Sequence, residues 1–303
     1  MDTKEERFKL NIEFKNKNKN NQIVDFYETN VRLENLTYPK PDKALRVATI
    51  NAHGFRSINT SHTTSKCVAG LIEFMLRHSI DVLGVEEYNS KHHALLEQLI
   101  KENNLYSTAT TGWSYMNLII SRYPISIELT IVLPGDDHRF LVMGTIVDTN
   151  ENEYKIGVTH LSILPRNYDF PDTDSFKESV KGTIDRHKEQ LGKTSEYDLD
   201  ILMGDFNFNR SEPEYNWMLP KWQDTSSNEP TTPFGTTVDF VWTHDQSPAF
   251  VLYSKYTDHR SVARRALPSE QQKNLSNYKC CFLRYAQKAI LNRRSSRGAK
   301  RRD

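Results

Sequence analysis

Cysteine is scarce in this chain: Cys67, Cys280 and Cys281 are the only three in 303 residues. Three are too few for a disulfide framework, and the adjacent pair suits neither an ordinary disulfide nor a zinc site. Reduced intracellular thiols are the plain expectation. Long apolar runs are lacking as well. None approaches the roughly 18 residues a membrane helix needs, so no transmembrane segment is expected. The opening stretch, MDTKEERFKLNIEF, is charged and has no apolar core segment, so no signal peptide is expected either. The sequence reads as soluble and intracellular, cytoplasmic or nuclear. No internal repeat is apparent. The 14 Phe, 14 Tyr and 4 Trp speak against global disorder and for a sizeable core.

The net charge is only +1, but it is unevenly spread. Residues 264–303 hold twelve Lys/Arg against two Asp/Glu, a balance of +10, which leaves the other 263 residues at −9. A mildly acidic body suits a site built from carboxylates, and a basic tail suits an anionic partner such as nucleic acid.

Along the chain, residues 1–44 read as a polar N-terminal extension that could carry an extra hairpin, with strands at 8–14 and 24–33 around a low-complexity loop. From Leu45 the pattern becomes regular. Strands are expected at 45–51, 81–87, 114–121, 139–148, 154–162, 198–206, 238–244, 250–256 and 261–267. Helices are expected at 66–79, 93–104 and 174–191, the last with Asp174 as candidate N-cap. Early strands alternate with helices and later ones come in antiparallel-like runs, which predicts mixed sheets covered by helices. Residues 268–303 read as a linker, a short helix at 280–292 and a basic tail.

Several of these strands close on polar residues able to bind metal or phosphate. ATIN ends at Asn51, GVEE at Glu86 and Glu87, GVTH at His160. LMGDFN carries Asp205 and Asn207, VDFVW opens on Asp239, and TDH supplies Asp258 and His259. Each alone is weak, since an Asp after Gly often caps a turn and a lone strand histidine is more often a satisfied core residue. Strand alternation lets at most one of Glu86 and Glu87 face a common site. Taken together, carboxylates, amides and imidazoles at strand ends suit phosphodiester cleavage, which needs an activated water and a stabilised anion. Mg²⁺ suits such hard oxygen donors, and an Asp beside a His fixes the imidazole tautomer.

TINAHGF, GVEEYN, THLS, GDFN, VDFVW and TDHRSV, in this order across 45–267, resemble the motif series of the DNase I-like endonuclease/exonuclease/phosphatase superfamily. The resemblance implies an α/β (α+β) four-layer sandwich of two mixed sheets flanked by helices, with a catalytic domain over 45–267. It implies Glu87 as principal Mg²⁺ ligand (Mn²⁺ as a substitute), with Asn51 beside the metal and Asp258 supporting it. Asp205 and Asn207 would manage the attacking water, His259 the scissile phosphate, Asp239 the orientation of His259, and His160 a second phosphate contact or an acid for the leaving oxygen. Among nearby cations, Arg56, Arg139 and Arg210 are candidate substrate contacts, each of which could equally be an ordinary surface arginine.

Substrate class does not follow from the fold. The basic tail favours a nuclease or DNA/RNA phosphodiesterase, with nucleic acid held in the cleft and by the tail. The same tail could be a nuclear-import signal, or could touch an anionic membrane, which would suit a phospholipid or phosphoinositide phosphoesterase. A third alternative is an inactive nucleic-acid-binding module. The histidine of THLS and the Thr-Thr-Val before Asp239 argue against the abasic-site repair branch. One feature runs against a nuclease: Glu212, Glu214 and Glu229 lie between Asn207 and Asp239, where Arg or Lys would be more comfortable.

Overall fold

The computed structural model describes residues 7–14, 25–32, 44–55, 64–110, 115–135, 138–165, 173–224, 229–232, 235–247, 249–252, 257 and 260–266. The chain divides after Ala266 into two units, and all of these residues belong to the first. The elements run β1 (Arg7–Phe14), β2 (Asp25–Arg32), β3 (Leu45–Asn51), α1 (Thr64–Arg77), β4 (Val82–Asn89), α2 (His93–Glu102), β5 (Tyr106–Ala109), β6 (Tyr115–Ser121) and β7 (Ile125–Val132). They continue with β8 (Phe140–Val147), β9 (Glu153–His160), α3 (Asp174–Ser195), β10 (Ile201–Asp205), α4 (Pro213–Met218), β11 (Asp239–Thr243), β12 (Ala249–Leu252) and β13 (Ser261–Ala266). Among the described residues, no helix is long and apolar enough to cross a membrane.

Two mixed sheets make the body. One has the order β12-β13-β3-β4-β6-β5, the other β11-β10-β9-β8-β7. The β3/β4 and β9/β10 pairs are parallel, and the other neighbours are antiparallel. β1 and β2 form an antiparallel hairpin that is a sheet of its own rather than an addition to either edge.

Strand alternation explains the layering, because each central strand is apolar on both faces. Leu45, Val47 and Val82 pack with Ile156, Val158, Ile201, Met203 and Val241 in the core between the sheets. The opposite rows of the first sheet, with Ala48, Ile50, Leu83 and Val85, bury α1 and α2 through Val68, Ile72, Leu96 and Leu99. Those of the second sheet, with Leu202, Phe240 and Trp242, join Leu191 of α3 and Met218 of α4. Helices, sheet, sheet and helices are thus the expected four layers.

Three elements, β5, β7 and α4, are additional to those expected from the sequence. β5 and α4 span four and six residues, too short for a period to declare itself. β7 does alternate apolar and polar residues from Ile125 to Ile131. It is an edge strand, largely exposed and broken by an irregularity between Ser126 and Leu129. Asp174 is not the cap of α3. Thr173 is, accepting a bond from the Phe176 N–H, while Asp174 adds favourable charge to the first turn.

Gly204, next to Asp205, sets how closely β9 and β10 approach. Its φ is +148°, and a β-carbon there would lie 1.8 Å from the Thr159 carbonyl oxygen. Gly204→Ala must therefore push the parallel pair apart. We expect a loss of more than about 3 kcal/mol in urea-unfolding stability; a loss under about 1 kcal/mol would show that the pair tolerates separation.

Candidate active site

Four strands send their inter-sheet rows to one end of the sandwich, and each row changes there from apolar to polar. β9 runs Ile156, Val158, His160; β10 runs Ile201, Met203, Asp205; β11 begins at Asp239 before Val241; β3 runs Val47, Thr49, Asn51. The register then sets them side by side. Asp205 pairs with His160 on one side and with Asp239 on the other, and Asn51 pairs with Glu86. Rigid strand ends hold each group, which suits chemistry better than a loop.

The two adjacent glutamates depart from simple alternation. Gly84 faces the opposite sheet, since a β-carbon there would meet Val158 and Met203. Glu86 shares that row, is fully buried, and accepts a 2.6 Å bond from the Thr49 hydroxyl. Glu87 should point the other way. Instead the ladder shifts register between Val85 and Tyr88, and Glu87 adopts φ +50°. This irregularity turns its carboxylate back to the strand ends, so both acids lie on the side of the site.

Asn51 joins the two sheets. Its Nδ2 donates to Glu87 Oε1 and to Asp205 Oδ2, each at 3.1 Å, while its Oδ1 accepts from the His53 N–H at 2.8 Å. Asn51 therefore presents its amide N–H groups, not its oxygen, to the carboxylates. His160 Nε2 lies 3.8 Å from the same two oxygens, and Arg139 Nη1 is 2.8 Å from His160 Nδ1. A guanidinium can only donate, so Nδ1 accepts and the ring proton sits on Nε2, aimed at the carboxylates. Asn207, at φ +52°, gives its backbone N–H to Asp205 Oδ1 at 2.9 Å and its side-chain amide to the Leu161 carbonyl at 3.0 Å.

Glu87, His160 and Arg139 also line a cavity of about 390 Å³ whose other walls include Tyr115, Phe140 and Ile163. Arg210 does not line it. Asp224 holds the Arg210 Nε at 2.8 Å and the Tyr215 hydroxyl at 2.6 Å, and burial, with that bond second, pushes the Tyr215 phenol up to about 12. Arg56, Asp258 and His259 lie outside the described residues. The residues flanking Asp258 and His259 are anchored to the strands and loops of the site. The Thr257 hydroxyl bonds the Asn51 carbonyl at 2.6 Å, and the Arg260 N–H bonds the Thr231 carbonyl at 2.7 Å. Thr231 Oγ1 in turn accepts from the Asp239 N–H at 3.3 Å.

A buried clamp behind the site was not foreseen. His187 of α3 and Glu214 of α4 are both fully buried, with Nδ1 2.9 Å from the carboxylate. His187 Nε2 meets the Ser162 carbonyl at 2.5 Å, and Gln190 bonds Ser162 through both amide atoms. Together they fix the chain just past His160. The signal was in the sequence: Thr183, His187, Gln190 and Thr194 are polar residues on the buried stripe of an amphipathic helix. Glu214 is thus committed to the interior. Glu212 bonds Asn209 through backbone and side chain, and burial raises its pKa above the ordinary carboxylate range. Two of the three acids that argued against an anionic substrate are engaged elsewhere.

The family model described as Endonuclease/Exonuclease/phosphatase family matches residues 48–259, more than half of the chain. Among solved structures, an endonuclease/exonuclease/phosphatase from Beutenbergia cavernae DSM 12333 is similar at 17% identity, covering 75% of this chain and 72% of that one, with a TM-score of 0.58. The human Nocturnin catalytic domain, solved with a bound sulfate anion, has 15% identity, coverage of 74% and 93%, and a TM-score of 0.52. D. rerio TDP2, solved with a single-strand DNA product, has 13% identity, coverage of 74% and 99%, and a TM-score of 0.53. At these identities the likeness is one of fold. No curated protein sequence matches the chain.

Because removing one partner of a buried pair strands the other, Glu214→Ala should cost about 3–5 kcal/mol of stability. Glu214→Gln should cost far less, since its amide can donate to Nδ1 of a neutral His187. Urea titrations of both variants check this, and equal losses would show that the pair is not bonded as described.

Proposed function

The chain belongs to the endonuclease/exonuclease/phosphatase family, and from that premise we propose that it is a Mg²⁺-dependent nuclease or DNA/RNA phosphodiesterase. The observation that carries this reading is the convergence of Glu87 and Asp205 on Asn51 Nδ2, with His160 Nε2 at 3.8 Å from both. Two carboxylate oxygens each 3.1 Å from one nitrogen form a pocket of negative charge, which the amide N–H groups only partly offset. A divalent cation fits that donor set. Among the described residues no group of three or more His, Cys, Asp or Glu could hold a metal, but Mg²⁺ often takes one or two carboxylates and keeps several waters.

Glu87 is assigned as the main metal ligand, with Asp205 facing it and Asp258 supporting by resemblance. Bound there, the ion would supply Lewis-acid stabilisation to the phosphoryl oxygens. The chain's own groups do the rest. Asp205 accepts a proton from the attacking water, its carboxylate held in place by the Asn207 N–H and by Asn51. His160 offers its Nε2 proton to a phosphoryl or leaving oxygen, and Arg139 fixes that tautomer. Asn51 positions both carboxylates. His259, oriented by Asp239, is assigned to the scissile phosphate on the strength of the motif order.

Two things favour nucleic acid as the phosphodiester: the +10 balance of residues 264–303, which would add salt-dependent affinity for a polyanion, and the similarity to a TDP2 solved with a DNA product. Plasmid DNA, single-stranded RNA, sphingomyelin and inositol phosphates, each with Mg²⁺ and with EDTA, decide the matter. We expect nucleic-acid cleavage that EDTA abolishes and that Asp205→Ala or His259→Ala lowers by about 10²–10⁴-fold with the circular dichroism spectrum unchanged. Turnover of lipid substrates alone would reject the nuclease reading.

A further inference from the structure

The cavity beside Glu87 and His160 is larger than a phosphate group requires, and much of its wall is apolar. Tyr115 and Ile163 stand at 41% and 50% exposure, and Met116 and Phe140 also line it. Exposed aromatic and aliphatic side chains next to a highly charged centre mark a place where substrate surface is buried. Arg139 and His138 share the same cavity, so an apolar group entering it lies next to cation-capable side chains.

Tyr115 is held in place from behind. It opens β6, and its ring packs on Gly54, where a β-carbon would come within 2.7 Å of Tyr115 Cε1. Gly54 has φ +62° and lies three residues past Asn51. The segment that follows the Asn51 strand end therefore also supports the ring.

From this we propose that the cavity is a base subsite: Tyr115 and Ile163 receive the nucleobase of a nucleotide adjoining the scissile phosphate. The inference rests on the nuclease reading above and names what that site recognises beyond the backbone. A planar base buries two apolar faces, and an aromatic platform accepts any base because every base has a π-face. The subsite thus predicts a preference for base-bearing, unpaired strands over a bare sugar-phosphate chain, without strong sequence selectivity.

The test compares equilibrium binding, in EDTA, of an oligothymidylate and an oligomer of equal length made entirely of abasic tetrahydrofuran spacers. Both carry the same phosphate charge, so any affinity from the basic tail cancels in the ratio. The full-length wild-type protein should bind the thymidylate more tightly. Tyr115→Ala should reduce that ratio by roughly ten- to hundredfold, and Tyr115→Phe should retain it. Wild-type affinities equal for the two oligomers would overturn the proposal, as would a ratio that Tyr115→Ala leaves unchanged. Adding Mg²⁺ separates the two claims. A base preference without cleavage sinks the nuclease reading but keeps the subsite, whereas cleavage without base preference sinks the subsite alone.

Discussion

Two carboxylates from different sheets converge on one amide nitrogen, and the rest of the site is arranged around that meeting. Glu87 comes from the six-stranded sheet and Asp205 from the five-stranded one, and Asn51 Nδ2 donates to both. The fold sets donors against these carboxylates: the Asn51 amide on both and the Asn207 N–H on Asp205, with His160 Nε2 standing 3.8 Å away. Such a pocket is suited to a small hard cation, which would offset the remaining charge.

The sandwich holds this arrangement because its interior and its site are the same rows of side chains. The core between the sheets is apolar up to Val158 and Met203, and one alternation later the rows become His160 and Asp205. Nothing in the site can shift without disturbing that packing. Local backbone strain concentrates at the same end. Of the eight described non-glycine residues with positive φ, His53, Phe55, Glu87 and Asn207 lie in or beside the site. Strained conformations of this kind persist where surrounding structure over-determines them. Behind His160, the buried His187–Glu214 pair and Gln190 restrain the chain as it leaves the sheet.

Much of this was legible in the sequence. β3 matches its expected span, Leu45–Asn51, to the residue. Motif resemblance singles out Glu87 rather than Glu86, and Glu87 is the one that bonds Asn51. Alternation alone places Glu86 correctly and Glu87 on the wrong side, because an irregularity in the ladder is invisible to a period-two pattern. The His187–Glu214 clamp escaped because a buried ion pair spans two elements whose contact depends on tertiary packing. Tyr115 escaped because a single aromatic residue at a strand end reads as ordinary core, and Ile163 because it lies past the end of β9. Arg210 was singled out for following GDFN closely; it pairs with Asp224 and does not line the cavity beside Glu87.

The proposed chemistry requires a divalent cation between the carboxylates of the two sheets. Anomalous scattering from a crystal soaked in Mn²⁺ measures this directly. A peak within coordination distance of Glu87, on the side facing Asp205, is the expected result. A peak elsewhere on the molecule, with Glu87 and Asp205 still bridged by Asn51 alone, would contradict it.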